Sequence, residues 1–90
     1  MIVFGERLLV TGGRNGESTT NLCEVYDTET DSWEIMVPMG QKRWSHAAVE
    51  VRPGVVYVCG GRDGGEYLNS IEFYTETTNL WESIAIDDKF

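Results

Sequence analysis

The chain repeats its own pattern at an interval of 48 residues, and no gap is needed to align the two copies. Each copy has an apolar run that ends in two glycines, a polar segment, a second segment that ends in tyrosine, and a tryptophan seven residues later. Self-similarity at a fixed period indicates that one supersecondary unit occurs twice, so the sequence predicts a repeat protein. The identical pairs include Gly12 and Gly60, Gly13 and Gly61, Arg14 and Arg62, Gly16 and Gly64, Asn21 and Asn69, Glu24 and Glu72, Tyr26 and Tyr74, Trp33 and Trp81, and Glu34 and Glu82.

Each copy is predicted to form four short strands. The runs 7–11 and 55–59 are rich in β-forming residues without strict alternation, which is typical of strands covered on both faces. The polar segment 14–20 is predicted to be a loop, and segment 38–42 is predicted to connect the copies. No segment has a helical period with caps, so the predicted fold class is all-β with four-stranded antiparallel sheets. The other predicted strands are 1–4, 22–27 and 33–37 in the first copy and 45–51, 68–74 and 80–86 in the second.

The composition excludes several classes of partner. The net charge of −8 argues against nucleic acid and anionic membrane surfaces, since both are bound through Lys and Arg. No apolar run is long enough to span a bilayer, and the N-terminus lacks the basic and apolar regions of a signal peptide. The expected location is therefore cytoplasmic. Cys23 and Cys59 each lie in an apolar strand pattern and are expected to be buried free thiols.

The sequence offers no catalytic arrangement. His46 is the only histidine, and Ser45 beside it has no second histidine or orienting acid nearby. Two isolated cysteines and one histidine do not have the spacing of a zinc site. The glycine-rich segment 60–65 is not followed by Lys-Ser or Lys-Thr, so it is not predicted to hold phosphate. We therefore expect no enzyme activity, no metal site and no cofactor.

Four antiparallel strands in a unit of ~50 residues, with a Gly-Gly pair and a spaced aromatic pair, are typical of a β-propeller blade. The sequence resembles the kelch repeat, which has these same marks. Segments 43–47 and 38–39 also resemble the opening of such a blade and the connection before it. The resemblance implies kelch repeat 1 at residues 1–42, with its first strand truncated, and kelch repeat 2 at residues 43–90. The Gly-His and Trp-Asp marks of WD-type propellers are absent, and segment 31–33 lacks the glycine of a sialidase aspartate box.

Residues that recur at matched positions are interpreted as structural. Recurrence at the repeat period is what core packing requires, so the repeated tyrosines and tryptophans are predicted to pack between blades. The kelch resemblance places His46 in the opening of the innermost strand, which implies a structural role. The predicted structural set is Gly12, Gly13, Tyr26, Trp33, His46, Gly60, Gly61, Tyr74 and Trp81.

Two blades cannot bury all of their apolar faces, because propellers close into rings of ~4–8 blades. The chain is therefore expected to need further kelch blades, either within a longer protein or from other copies of itself. A ring of separate copies would lack residues matching 43–48 between Phe90 and Met1, so each joint would miss the start of an inner strand. This favours a longer protein.

The loops between the second and third strands of a blade open on the same side as the connection between blades. This side receives four of the seven basic residues of an acidic chain. It is predicted to bind a protein or an acidic peptide, with arginine as a bidentate donor and Trp44 and Tyr67 as flat contacts. The alternative is that Arg14 and Arg62 only hold their own loops. The predicted partner-binding set is Arg14, Asn15, Arg43, Trp44, Arg62, Asp63 and Tyr67.

The resemblance is closest to the propellers of BTB–kelch proteins, many of which are substrate adaptors for cullin-based ubiquitin ligases. It implies that these blades recognise a protein and that other domains recruit the ligase, which is an inference from family analogy. The alternative under the same resemblance is part of an actin-associated kelch scaffold or of a kelch-containing enzyme. Copper-binding kelch oxidases use a set of Tyr, Cys and His ligands that does not occur here.

Overall fold

The computed structural model describes residues 1–16 and 18–84, which form two four-stranded antiparallel sheets and one two-stranded hairpin. The first sheet has the order β1-β2-β3-β4 and the second has the order β10-β9-β6-β5, with β7 paired to β8. No helix occurs among the described residues. The strands are β1 (Ile2–Phe4), β2 (Arg7–Asn15), β3 (Ser18–Asp27), β4 (Ser32–Met36), β5 (Ala47–Arg52), β6 (Val55–Cys59), β7 (Arg62–Asp63), β8 (Glu66–Tyr67), β9 (Ile71–Thr75) and β10 (Leu80–Ile84).

The repeat in the sequence is a repeat in the strand register. In the first sheet Tyr26 of β3 lies opposite Trp33 of β4, and in the second sheet Tyr74 of β9 lies opposite Trp81 of β10. Neighbouring pairs agree in the same way along both sheets. The predicted fold class, all-β with four-stranded antiparallel sheets, is therefore confirmed.

The polar segment 14–20 is not a loop, and that prediction is wrong. β2 continues to Asn15 and β3 begins at Ser18, so the two strands extend as a hairpin, and Gly16 after β2 lies in a turn. The second copy makes the same extension with β7 and β8. Backbone pairing stabilises these polar residues as strands, although they bury too little apolar surface to show a strand pattern in the sequence.

Two strands begin later than predicted. β5 starts at Ala47 because Ser45 adopts a left-handed backbone with φ of 57°. β9 starts at Ile71 because the preceding Leu68 N–H donates to the Gly61 carbonyl at 2.9 Å instead of joining the ladder. The predicted extension of the last strand to residue 86 lies outside the described residues.

The apolar core lies between the two sheets. Leu9 of β2 faces it from the first sheet, while Val56 and Val58 of β6 face it from the second, and all three are fully buried. Leu9 matches Tyr57 in the repeat, and Tyr57 lies on the face of the second sheet that is turned away from the junction. The two sheets therefore meet through opposite faces of the repeated unit. The buried cluster is Phe4, Leu9, Cys23, Val25, Met39, Val56, Val58 and Tyr74. The strands 7–11 and 55–59 were expected to be covered on both faces, but they are fully covered only on the faces at the junction. On the outer face of the second sheet, Tyr57 is half-buried and Val49 beside it is exposed.

The two cysteines lie on different faces. Cys23 is fully buried in the junction, where burial raises the pKa of its thiol to about 11. Cys59 is exposed, so the prediction that it is buried is wrong. It lies on the face of the second sheet that is turned away from the first. Both cysteines are free.

No helix in the described part of the chain is long and apolar enough to cross a membrane.

Candidate functional site

The extended hairpins of the two sheets lie side by side and are joined by the connection between them. The Gly64 N–H donates to the Thr19 hydroxyl at 3.3 Å, so the hairpin tip of the second sheet contacts that of the first. Trp44, in the connection, pairs with Arg62 through two backbone hydrogen bonds of 3.0 and 2.9 Å. These contacts bring together the side chains that the repeat places on this edge.

Two repeated arginines stack on aromatic rings at this edge. The guanidinium carbon of Arg14 lies 5.0 Å from the centre of the Trp44 ring, and that of Arg62 lies 5.2 Å from the same ring. Arg62 also lies 4.7 Å from the centre of the Tyr67 ring, which is 81% exposed. We call Arg14, Trp44, Arg62 and Tyr67 the cation–aromatic cluster. Arg14, Trp44 and Arg62 of this cluster line a cleft of about 300 Å³ together with Gly64.

The arginines of the cluster are held without acidic partners among residues 1–16 and 18–84. Arg14 donates from Nε to the Gly16 carbonyl at 2.6 Å, so its anchoring of its own hairpin is real. The Nε atom of Arg62 is buried and has no hydrogen-bond partner in the described part. The ion pairs found there are those of Arg7 with Glu76 and of Arg43 with Glu72. The stacked guanidinium groups therefore keep their charge at the surface, because no described carboxylate pairs with it.

Arg43 does not belong to this surface, and its prediction as a partner contact is wrong. It is fully buried, and Nη2 donates to the Glu72 carboxylate at 3.0 Å. Nη1 donates to the carbonyls of Gly60 and Ser70 at 3.0 and 3.1 Å. A buried charge needs a charged partner and further hydrogen bonds, and Arg43 has both.

Glu72 explains why Arg43 is buried. It accepts hydrogen bonds from the backbone N–H groups of Gly40 at 2.6 Å and of Gln41 at 3.1 Å, in addition to the one from Arg43. The sequence holds a signal for this site. A glutamate recurs within a strand that is otherwise apolar, and a buried acid of this kind requires a buried base.

The remaining predicted contacts differ in accessibility. Asn15 is exposed at the end of β2. Asp63 is half-buried and accepts a hydrogen bond from the Gln41 amide at 3.0 Å, so its carboxylate is partly engaged. Lys42, two residues before Trp44 in the connection, is exposed.

Two glycines allow the connection to approach the strands. Gly12 has φ of 58°, and a Cβ there would lie 2.4 Å from the Arg43 carbonyl oxygen. Gly61 has φ of 91°, and a Cβ there would lie 2.8 Å from the Trp44 carbonyl oxygen and from the His46 side chain. Both positions require a residue without a side chain, because the backbone is left-handed and the space is occupied.

His46 links the connection to the first sheet. Its Nε2 atom shares a hydrogen bond of 2.8 Å with the Thr11 hydroxyl, while Nδ1 is buried with no described partner. Burial, and secondarily the charge of Arg43, lower the pKa of His46 below its usual value. Among the described residues, no group of three or more His, Cys, Asp or Glu is placed to hold a metal ion.

The four repeated aromatic residues have two different environments. Tyr74 and Trp81 lie between the sheets, where the Tyr74 ring meets Phe4 at 6.2 Å and the Trp81 indole N–H donates to the Val37 carbonyl at 3.0 Å. Tyr26 and Trp33 lie on the opposite side of the first sheet, and Trp33 is 54% exposed. The prediction of packing between blades therefore describes the second pair, while no described part of the chain covers the first.

The sequence profile of the Kelch motif matches residues 1–40 and 43–86, so each match contains one of the two sheets. The chain belongs to the Kelch motif family. No curated protein matches it. Kelch repeats generally mediate protein–protein interaction and are typically non-enzymatic, and the two open sheets fit an incomplete propeller. In this Kelch chain the cation–aromatic cluster is the charged surface that the hairpins and the connection build together.

Proposed function

We propose that this Kelch chain is part of a protein-recognition module whose cation–aromatic cluster binds an acidic segment of a partner protein. The observation that carries the proposal is that Arg14 and Arg62 stack on one tryptophan and have no acidic partner in the described part of the chain. A chain with a net charge of −8 exposes this positive edge against its overall charge.

The geometry of the cluster suits a carboxylate next to a flat group. A guanidinium offers a planar set of donors that matches a carboxylate, and stacking on a ring fixes its plane while leaving its edge available. Trp44 and Tyr67 offer ring surface for the neighbouring atoms of a bound peptide. Each charge-assisted hydrogen bond to such a ligand contributes about 1.5–3 kcal/mol.

The finer assignment is that these blades belong to the substrate-recognition propeller of a BTB–kelch ubiquitin-ligase adaptor, working in the cytoplasm without catalysis of its own. This rests on family analogy. An actin-associated scaffold or an enzyme that carries Kelch blades is the alternative. A BTB domain in the same polypeptide supports the adaptor, whereas a set of metal ligands beside the blades supports the enzyme.

The binding proposal is tested with a fluorescein-labelled hexaglutamate peptide and fluorescence anisotropy over a range of salt concentrations. We expect Arg62→Ala to weaken binding about tenfold, which corresponds to about 1.4 kcal/mol. Arg62→Lys should restore only part of the affinity, because lysine keeps the charge but not the planar donors. Circular dichroism checks that both variants keep the strand content of the parent.

The matched control is Arg52→Ala. It removes the same charge from an exposed residue at the C-terminal end of β5, away from the cluster. It should leave the affinity within about twofold of the parent. Arg52 would attract the peptide only through its exposed charge at long range, and salt screens that attraction. Equal losses in the Arg52 and Arg62 variants would show that only net charge matters and would contradict the proposal. An affinity that does not depend on salt would contradict it too.

A further inference from the structure

A second cleft lies between the two sheets, at the end opposite the cation–aromatic cluster. It has a volume of about 260 Å³, with the first sheet as one wall and the end of β9 and the turn before β10 as the other. Arg7 lines this cleft and Arg14 belongs to the cluster, and the two residues are separated along β2 by roughly 20 Å. The cleft is therefore a separate site, and both of its walls belong to the described chain.

The floor of the cleft is apolar. Phe4, Val25 and Tyr74 line it, although they are only 2%, 6% and 5% exposed. Side chains that are buried and still line a cleft lie at its bottom. Such a floor favours the hydrocarbon part of a ligand, because covering it removes apolar surface from water.

The cleft carries two carboxylates, one on each wall. Glu34 of β4 lies opposite Val25 in the strand register, and cross-strand partners project from the same face of a sheet. Glu34 therefore lies on the face of the first sheet that meets the second sheet. Glu76 follows β9 on the other wall. Both glutamates are exposed, so a ligand can reach them from solvent.

The acceptor atoms of these carboxylates are only partly used. Arg7 donates from Nη2 to Oε2 of Glu76, and its guanidinium carbon lies 4.8 Å from the centre of the Phe4 ring. Among residues 1–16 and 18–84, no donor bonds to Oε1 of Glu76 or to the carboxylate of Glu34. Two carboxylates and one guanidinium leave one negative charge in the cleft uncompensated.

This arrangement selects a cation with an aliphatic stem. A metal ion does not suit it, because the described residues offer no group of three or more His, Cys, Asp or Glu and the floor is hydrocarbon. A guanidinium is a planar fork that matches a single carboxylate. A lysine side chain fits better, since its four-carbon stem can cover the floor and its ammonium has three donors for acceptors on two walls.

We propose that this cleft binds a lysine side chain of a partner protein. The stem of the lysine lies on Phe4, Val25 and Tyr74, and its ammonium donates to Glu34 and to Oε1 of Glu76. The inference does not rest on the proposed function, because it concerns the other end of the sheets and a ligand of opposite charge. Loss of either site leaves the other intact.

The repeat supplies a control within the same chain. Glu82 is the counterpart of Glu34, is also exposed, and lies opposite Phe73 in the register of the second sheet. The Phe73 ring stacks on Tyr57 at 5.4 Å, on the face of the second sheet that is turned away from the first. Glu82 therefore has the charge and strand position of Glu34 beside an apolar surface, but it does not line the cleft.

The first test titrates three small ligands into the parent chain at constant ionic strength. Nα-acetyl-lysine amide has both the stem and the charge, Nα,Nε-diacetyl-lysine amide has the stem alone, and methylammonium has the charge alone. NMR signals of the Val25 and Tyr74 side chains report binding. We expect the first ligand to bind about fivefold more tightly than either of the others, because it alone uses both the floor and the carboxylates.

Three results of this titration would overturn the proposal. Equal affinity for methylammonium would reduce the cleft to a site of counterion attraction. The absence of a saturable shift at Val25 and Tyr74 would show that the floor is not covered. Pentylammonium keeps the stem and the charge without the peptide groups, and tighter binding of pentylammonium than of the lysine ligand would assign the cleft to a free amine.

The second test locates the site with variants. Glu34→Gln should weaken binding of Nα-acetyl-lysine amide about fivefold, whereas Glu82→Gln should leave it within about twofold of the parent. Circular dichroism checks that both variants keep the strand content of the parent. Equal losses would show that net charge alone attracts the ligand and would contradict the proposal. The ligand series uses the parent chain, so it decides the question even if a variant fails to fold.

Discussion

The two sheets contain the same key residues in different surroundings, and the difference is imposed by their neighbours. Tyr74 is 5% exposed and Glu72 is 2% exposed, whereas their counterparts Tyr26 and Glu24 are half-buried and exposed. The indole of Trp81 bonds across the junction, while Trp33 stands at 54% exposure. Burial at these positions is thus a property of the junction, not of the residue or of its own sheet.

Contacts within each sheet, by contrast, are nearly the same. The Tyr26 hydroxyl donates to the carboxylate of Asp31, and the Tyr74 hydroxyl donates to the side-chain oxygen of Asn79 at 2.8 Å. Asp31 and Asn79 both have left-handed backbones, with φ of 52° and 55°. Each repeat therefore encodes its own turn and sheet geometry, and the adjoining repeat decides which side chains become core.

The largest expected difference between the sheets is at the repeated glutamates. Glu72→Gln should destabilise the chain by about 3–5 kcal/mol, because it leaves the buried Arg43 guanidinium without its counter-charge. Glu24→Gln should change stability by less than about 0.5 kcal/mol, as is usual for an exposed residue. Urea unfolding followed by circular dichroism measures both, and equal losses would show that the two faces are equivalent.

The repeated tryptophans should differ next. Trp81→Ala should cost about 3 kcal/mol, because it removes ring packing at the junction and leaves the Val37 carbonyl without its donor. Trp33→Ala should cost about 1 kcal/mol, mainly from the lost ring contact with Tyr26, whose centre lies 5.1 Å away. Thermal unfolding of the two variants makes the comparison. A larger loss of stability at Trp33 than at Trp81 would show that the core lies on the Trp33 side of the first sheet and not at the junction.

His46 gives the junction a pH dependence. Its folded pKa is lowered, mainly by burial, so the unfolded chain takes up the proton first as the pH falls. Stability should therefore decrease as pH drops below about 6.5, the pKa of a free histidine, by at most about 1.4 kcal/mol per pH unit. His46→Gln should remove this slope between about pH 6.5 and 5, since no other histidine is present. A slope unchanged in the variant would assign it to carboxylates.

The smallest expected effect is at the repeated tyrosine hydroxyls. Tyr74→Phe should cost about 1 kcal/mol, because the hydroxyl bond to Asn79 lies partly inside the junction. Tyr26→Phe should cost less, because water replaces its exposed bond to Asp31. Urea midpoints of the two variants, measured side by side, rank them. The reverse order would mean that the turn, not the junction, sets the strength of the bond.

Most of the fold could be predicted from the sequence because the repeat records it twice. The Gly-Gly ends, the tyrosine-to-tryptophan spacing and the apolar run 55–59 each mark an element whose cause is local. The hairpin extension at 14–20 could not be predicted in this way, since polar residues pair there through their backbones. The exposure of Cys59 depends on what adjoins the second sheet, which the chain alone does not state.

The site could be predicted only in part, for a similar reason. Strand topology predicts that the cation–aromatic residues share one edge, and the structure brings Arg14, Trp44, Arg62 and Tyr67 into one cluster. Arg43 stands next to Trp44 in a polar segment, so its neighbours in sequence indicate exposure. Its burial depends on Glu72, which is 29 residues away, and on the carbonyls of two further segments.

The buried pair of Arg43 and Glu72 has a consequence for how repeats of this kind choose their neighbours. A charged pair inside a protein adds little to the stability of the correct arrangement, because desolvation offsets the attraction. A sheet docked one residue out of register, or against a connection without an arginine, would instead enclose a lone carboxylate at a cost of about 3–5 kcal/mol. We therefore expect the pair to act mainly by rejecting wrong docking, so that the order of the sheets is selected by the arrangements it forbids.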